Sequence, residues 1–318
     1  MGENRIAQTS RDRNHFLAGL PVQESESIQL GTGIPEYRSK RIYGRDLIIL
    51  SYRLAPDAAV HTLPEKDWAT LILPLNAQSE FVFNGRVAEP LDLFLSVGPD
   101  GYVTTGKDRC NIAIGVRKSR LVSACSALAG VSMEDVLLRD LVLPQKQDAK
   151  GCLRRALIGA AKASEYEFLS QGQFTMEAAL ENDLTSMLAA QLVPAMRRVP
   201  EAKYVGRNAL HVVHTAIAAS KALPAPGLAD LCAATDVSQR WLHKCFMDVL
   251  GVSPYQYIRL ARLAKARELL LMHEPTTPTL IKSISLSVGY RLSGRFAKEY
   301  RSVYGENPSD TLRRSRQV

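Results

Sequence analysis

The pattern of apolar and polar positions changes its period once along this 318-residue chain. From Gly44 to about Val116, short runs of β-branched and aromatic residues alternate with turn residues, which predicts strands. From Lys118 onward, apolar residues recur at intervals of three and four, which predicts helices. We therefore expect an α+β fold, with a strand-rich N-terminal domain over about 1–200 and an all-α C-terminal domain over 201–318.

The strand prediction depends on five apolar runs. They are Leu47 to Leu50 continuing to Leu54, Trp68 to Leu75, Phe81 to Phe83, Leu91 to Val97, and Ile112 to Val116. The pair Asn84-Gly85 predicts a type I′ hairpin, because both residues tolerate a positive φ. Many short strands without intervening helices are typical of a small barrel or jelly roll, expected here over about 44–116. Residues 1 to about 40 are polar and irregular, which predicts an extended lead-in.

Helices are predicted to flank the barrel over about 118–193. Their expected bounds are Lys118 to Leu128, Leu153 to about Leu169, and Glu177 to about Val193. The last of them has an apolar stripe with helical spacing. Such a stripe usually packs into the core of its own chain, and the alternative is a subunit interface in a symmetric homodimer.

The candidate chemistry of the barrel is limited by its histidines. Before residue 200 the sequence contains only His15 and His61, whereas a cupin enzyme holds its metal with two or three histidines and a carboxylate. We therefore expect neither a metal nor another cofactor. The remaining functional interpretation is an apolar pocket for a small organic ligand with a few polar anchors. The candidates are Arg53, His61, Trp68 and Tyr102, and the alternative for each is an ordinary packed or solvated residue.

The last third of the chain contains two copies of one helical unit. In the first, a short helix from Leu228 to Ala234 precedes a turn, and Ser238 is a good N-cap for a helix from Gln239 to Val249. In the second, a short apolar-faced helix ends at Gly289, which can take a positive φ, and another helix follows. Longer helices are expected between the units, from Tyr257 to Leu271, and before them, from about Tyr204 to Ala219.

Each second helix has an apolar stripe and a polar face. We expect Trp241, Leu242, Cys245, Phe246 and Val249 to face the core in the first unit, and Leu292, Phe296 and Tyr300 in the second. The linking helix carries Arg259, Arg262, Lys265 and Arg267 among its polar positions. Two small helical pairs with basic outer faces are the form that a helix-turn-helix needs to enter a groove of DNA.

The charge distribution supports an anionic partner for this part of the chain. The formal net charge is +8, and the residues from Lys221 onward contain 15 Lys and Arg against 8 Asp and Glu, which gives +7. Nearly all of the basic excess therefore lies in the last third.

Several classes of protein are disfavoured by the sequence. The five cysteines are widely spaced and include no Cys-x-x-Cys, which argues against a disulfide framework and a zinc knuckle. The N-terminus lacks the apolar run of a signal peptide, and no window approaches a membrane span. We expect a cytoplasmic protein with no membrane partner that is not an enzyme.

Residues Leu228 to Arg314 resemble the DNA-binding domain of the AraC/XylS family of bacterial transcription regulators. The resemblance is carried by the pairs Arg259-Leu260 and Arg262-Leu263 in the linking helix. It is also carried by the ending Tyr300-Arg301-Ser302-Val303-Tyr304-Gly305-Glu306-Asn307-Pro308, followed by Thr311-Leu312-Arg313-Arg314. The N-terminal strand pattern is similar to the cupin-like sensor domain of such regulators.

This resemblance implies which side chains read DNA. The base-reading positions fall on Gln239, Arg240, His243 and Lys244 in the first unit, and on Arg291, Ser293, Gly294, Arg295 and Lys298 in the second. Arg259, Arg262 and Arg301 are expected to contact phosphates or to form structural ion pairs. Gly294 lies inside the second reading helix, where glycine costs about 1 kcal/mol relative to alanine.

The resemblance also implies a function and partners. It predicts a sequence-specific, ligand-responsive activator of a catabolic operon, related to amines or amino acids. The implied partners are double-stranded DNA, RNA polymerase, a small-molecule effector and a second copy of the chain. Two alternatives remain open. One is a ligand-independent architectural protein, and the other is an enzyme fused to a DNA-binding module, which would need a reactive cysteine in an electropositive or metal-bound setting.

Overall fold

The structure is a computed structural model of the chain. It describes residues 8–10, 19–75, 80–89, 92–98, 100–132, 141–143, 151–160, 174–197, 207–223, 225–272 and 279–314. The fold is α+β, with strands concentrated in the N-terminal region and an all-helical C-terminal region.

The strands of the N-terminal region form two separate sheets. In chain order they are β1 (Gln8–Ser10), β2 (Val22–Gln29), β3 (Glu36–Tyr43), β4 (Leu47–Ala55), β5 (Ala58–Pro64), β6 (Trp68–Pro74), β7 (Val82–Phe83), β8 (Arg86–Val87), β9 (Leu93–Ser96), β10 (Tyr102–Gly106), β11 (Arg109–Arg117), β12 (Leu141–Leu143) and β13 (Phe174–Thr175). The larger sheet has the order β1-β3-β4-β11-β6-β9-β12, and β13 pairs parallel to β3. The smaller sheet has the order β2-β5-β10-β7-β8.

The prediction of one barrel over 44–116 is therefore corrected to two sheets that begin earlier in the chain. The predicted lead-in contains β2 and β3 instead of irregular chain. The charged sequence of β2, with Glu24 and Glu26 on one face, hid this strand. The Asn84-Gly85 hairpin is confirmed, since both residues have positive φ between β7 and β8.

The helices follow the predicted periodicity closely. They are α1 (Lys118–Ala129), α2 (152–160), α3 (Ala178–Arg197), α4 (Arg207–Ala222), α5 (Leu228–Thr235), α6 (Gln239–Leu250), α7 (Pro254–Met272), α8 (Thr279–Ser287), α9 (Ser293–Tyr304) and α10 (Pro308–Arg314). The rest of the helix predicted from Leu153 to Leu169, beyond residue 160, lies outside the described residues. The turn at Gly289 has the expected positive φ of +85°, and a Cβ there would lie 3.0 Å from that of Ala225.

The α3 stripe packs within its own chain. Its central residues Leu184, Leu188 and Leu192 are fully buried, in one cluster with α1, α2 and one face of the larger sheet. The core interpretation of this stripe is therefore confirmed.

The molecule has four layers, because strands of the smaller sheet bury both of their faces. On β10, Tyr102 faces the larger sheet in a cluster with Phe83 and Phe94. Its neighbour Val103 faces the opposite way and belongs to the core of the C-terminal helices, together with Ile28 of β2. Alternation along each strand thus places α1 to α3, the larger sheet, the smaller sheet and the C-terminal helices in succession.

Candidate nucleic-acid interface

The first candidate reading helix, α6, begins at the predicted cap. The Ser238 side chain accepts a hydrogen bond from the Trp241 amide at 3.3 Å. The four predicted reading residues of this unit are all exposed: Gln239, Arg240, His243 and Lys244. The opposite face of α6 buries Leu242 and Phe246 completely.

Trp241 corrects the predicted stripe of α6. It was expected in the core, but its side chain is 40% exposed. The Lys244 ammonium lies 5.3 Å from the centre of its ring, so the two form a cation–π pair on the outer surface. Trp241 occupies the first turn of the helix, where the stripe rotates away from the core.

The second candidate reading helix, α9, also presents its predicted residues to solvent. Arg291, Ser293, Gly294, Arg295 and Lys298 are exposed. On the opposite face, Phe296 and Tyr300 are fully buried, as predicted. Leu292 was predicted to join them, but it is 69% exposed.

Glu299 fixes the position of Arg295. The Arg295 guanidinium donates to the Glu299 carboxylate at 2.8 Å, and the Tyr290 hydroxyl donates to the same carboxylate at 2.7 Å. Burial raises the pKa of Glu299, but the hydrogen bonds from Arg295 and Tyr290 outweigh it and leave the pKa below its usual value. The carboxylate is therefore ionised near neutral pH and holds Arg295 along the helix.

Tyr255 lies between the two reading helices and was missed in the sequence. Its side chain is 65% exposed at the start of α7. It borders a surface depression shared with Gln239, Arg240 and His243 of α6, and it also interacts with Arg295 of α9. Tyr255 therefore connects the outer faces of α6 and α9 into one basic surface.

The arginines proposed as phosphate contacts occupy different environments. Arg262 donates to the carbonyl oxygen of Pro226 at 2.6 Å, so it braces the loop before α5. Arg259 is half-buried and interacts electrostatically with Glu299. Arg301 is exposed on α9, which leaves it accessible to a phosphate.

Arg267 corrects the predicted polar face of α7, because it is 5% exposed. Its guanidinium donates to Glu306 at 2.8 Å and to the Tyr300 hydroxyl at 3.2 Å. It also lies 4.7 Å from the centre of the Tyr304 ring. This buried network joins the linking helix to α9 and to the loop before α10.

The four ligand candidates in the β region are not brought together. Arg53 forms a two-pronged, exposed ion pair with Asp108, at 2.9 and 2.8 Å. Trp68 is buried beneath the Arg117 guanidinium, and Tyr102 is buried between the sheets against Phe83.

His61, the fourth candidate, faces the C-terminal helices. Its Nε2 lies 2.9 Å from Nδ1 of His214 on α4. Burial lowers the pKa of His61 to about 4 and that of His214 to about 3. Among the described residues, no group of three or more His, Cys, Asp and Glu side chains could hold a metal ion.

A cavity of about 860 Å³ lies between the smaller sheet and the C-terminal helices. None of the four ligand candidates lines it. Its walls come from β2, β4, α4 and α7, and they include Glu26, Leu54, Lys221 and Ala261. Lys221 and Glu24 both line the cavity and form an ion pair at 3.0 Å. This cavity differs in place and in lining from the pocket predicted inside the N-terminal region.

Comparison with known proteins identifies the helical region. Residues 231–314 match the family described as "Helix-turn-helix domain". The XylDLEGF operon transcriptional activator of Pseudomonas putida is 41% identical over 78 residues, which are 24% of this chain and 24% of the relative. The C-terminal region of the chain belongs to the AraC/XylS family of transcription regulators.

Further relatives are similar to part of the chain. The probable thc operon regulatory protein of Rhodococcus erythropolis is 36% identical over 77 residues, covering 24% of this chain and 23% of the relative. A solved structure of a probable AraC family transcriptional regulator from Rhodopseudomonas palustris CGA009 is 33% identical, covering 33% of this chain and 97% of that one, with a TM-score of 0.30. The match to the Pseudomonas relative thus spans about a quarter of that protein's length.

No helix among the described ranges is both long enough and apolar enough to cross a lipid bilayer.

Proposed function

We propose that this protein is a sequence-specific DNA-binding transcription regulator. The observation that carries the proposal is that α6 and α9, each the second helix of a helix-turn-helix unit, both present exposed basic side chains. In this proposal Gln239, Arg240, His243 and Lys244 read one half-site, and Arg291, Ser293, Arg295 and Lys298 read the other. Arginine and lysine donate to guanine in the major groove, while histidine and glutamine also read base edges.

The roles of the two regions follow from this assignment. Residues 201–318 form the DNA-binding domain, and residues 1–200 form a sensor and dimerisation domain. Relatives from P. putida are described as operon transcriptional activators, which supports a role in activation. In this proposal the chain activates a catabolic operon through RNA polymerase. Arg301 contacts a phosphate, whereas Arg262 has a structural role because its guanidinium is bonded to the Pro226 carbonyl.

DNA binding is tested by fluorescence anisotropy on labelled duplex from the region upstream of the chain's own gene. About 6 to 10 phosphate contacts would make the affinity fall steeply as the salt concentration rises. Changing both Arg240 and Lys244 to alanine should weaken binding to this duplex more than binding to an unrelated duplex. An equal loss on both duplexes would assign the two side chains to phosphates, and salt-insensitive or absent binding would refute the proposal.

We propose that the cavity between the sheet and the helices is the effector site. A ligand there touches β2 and α7 together, so its affinity can differ between two arrangements of the regions. The test is a thermal-shift screen of small amines and amino acids against the wild type and Ala261→Phe, which places an aromatic ring in the cavity. A compound that stabilises only the wild type supports the site, whereas equal stabilisation of both would place it elsewhere.

A further inference from the structure

The N-terminal end of α9 departs from a local rule of helix formation. Position 292 is the N-cap, with φ −115° and ψ 113°, and its leucine makes no side-chain capping bond. Serine, threonine, asparagine and aspartate are favoured at an N-cap, because their side-chain oxygen accepts a hydrogen bond from an otherwise unpaired amide. Leucine cannot accept one, so this residue makes the helix less stable than a polar cap would.

The first unit provides an internal comparison for this position. Ser238 and Leu292 each precede the first residue of a 12-residue helix, and both helices end at a glycine in the left-handed conformation, Gly251 and Gly305. Ser238 caps its helix by accepting from the Trp241 amide. The two units therefore share a geometry, and only the second lacks the capping oxygen.

Packing in the core does not explain why a leucine occupies this N-cap position either. At 69% exposure, Leu292 is the most exposed large apolar side chain in the described part of the chain. It stands between the exposed Arg291 and Ser293, at the edge of the proposed reading surface. Gly294, two residues further on, has no heavy atom within 4 Å of its Cβ position.

We propose that Leu292 is a further base-contacting residue, which packs against the C5-methyl group of a thymine in the major groove. This inference rests on the proposed entry of α9 into that groove. The thymine methyl is the apolar group that the major groove presents, and apolar side chains recognise it by contact. The leucine at the cap position then discriminates thymine from other bases in the second half-site.

The test uses duplex enriched from a randomised pool by the wild-type chain. Each thymine in the half-site of α9 is replaced singly by deoxyuridine, which lacks only the C5-methyl group. One replacement should weaken wild-type binding about fourfold, which corresponds to ~0.8 kcal/mol for one buried carbon. The Leu292→Ser variant should bind the thymine and deoxyuridine duplexes equally.

Two controls separate base contact from folding. Leu128→Ser changes another exposed leucine, 55% exposed on α1, and should retain the fourfold difference. Leu292→Ser restores the cap that the first unit has, so its thermal midpoint should not fall below that of the wild type.

The proposal has clear contrary outcomes. It is overturned if Leu292→Ser keeps the discrimination, or if no deoxyuridine replacement weakens wild-type binding. Weaker binding by Leu292→Ser without any effect of the methyl group would assign the leucine to another contact and also overturn it. If Arg240→Ala/Lys244→Ala weakens binding to the enriched duplex more than binding to an unrelated duplex in the same assay, the proposed function stands even when the Leu292 proposal fails.

Discussion

At the residue scale, the two proposed reading helices use different chemistry. The first carries Arg240, His243 and Lys244 as exposed donors, while in the second Arg295 is held by Glu299. Gly294 stands where the first unit has Arg240, counted back from the terminal glycines Gly251 and Gly305. A glycine there allows the α9 backbone to approach DNA closely.

Gly294→Ala should stabilise the protein and weaken DNA binding. Its Cβ meets no atom within 4 Å, so the substitution should raise the free energy of unfolding by up to ~1 kcal/mol. The same methyl group would stand between the helix and the groove. Urea denaturation and anisotropy measure the two effects.

Gly159→Ala is the matched control, because that exposed helical glycine also has open space around it. It should have no effect on affinity. Unchanged affinity in Gly294→Ala would show that the backbone does not approach the DNA at this position.

At the element scale, the sequence predicted the helices well and some of their faces poorly. Periodicity and glycine turns are local signals, so α6 to α9 could be assigned from them. Arg267, Trp241 and Leu292 could not be placed. Arginine is usually solvated, and Arg267 is buried only because Glu306 and Tyr300 converge on it from distant parts of the chain. The reading residues were named through family resemblance, whereas Tyr255 needed the structure.

Arg267→Ala should destabilise the C-terminal region strongly. Removing one partner of a buried ion pair typically costs about 3–5 kcal/mol. Glu306 keeps its contacts with Arg314 and Thr311, so we expect the lower end of that range. Urea denaturation followed by circular dichroism measures this loss.

Lys265→Ala is the comparison for an exposed pair on the same helix, since Lys265 donates to Glu268 at 2.9 Å. It should cost at most about 1 kcal/mol. Similar losses in the two variants would contradict the structural role of Arg267.

At the scale of the whole molecule, the smaller sheet is joined to the linking helix and to the second helix-turn-helix unit. Tyr257 donates to Glu26 at 3.0 Å, and the Gln29 amide donates to the Val303 carbonyl at 2.8 Å. The first contact reaches the start of the linking helix and the second reaches α9. Strand β2 therefore contacts one proposed reading helix, α9, and the helix that links the two units. The sequence could not reveal this, because the alternating charges of β2 are typical of exposed chain.

The His61–His214 contact makes this junction sensitive to pH. Both pKa values lie below the ordinary value of about 6.5, because burial disfavours the charged ring. The contact therefore contributes fully to the free energy of unfolding above pH ~6.5. This contribution is lost as the pH falls towards ~4. The facing charged groups are Asp100, His211, Lys221 and Glu24.

The thermal midpoint of the wild type should decline between pH 6.5 and 4.5, a window above the usual carboxylate range. The double variant His61→Gln/His214→Gln should show a flatter decline. His243→Gln, which changes an exposed histidine, should behave as the wild type does. Parallel curves for the wild type and the double variant would exclude the histidine pair as the cause.

The most direct test of a two-unit reader is hydroxyl-radical footprinting of the full chain on its upstream DNA. We expect two protected segments on one face of the duplex, with centres about 10 base pairs apart, as two helices in successive major grooves require. Arg240→Ala/Lys244→Ala should erase one segment, and Arg295→Ala/Lys298→Ala the other. A single protected segment, or the loss of both segments together in each variant, would contradict reading by two separate units.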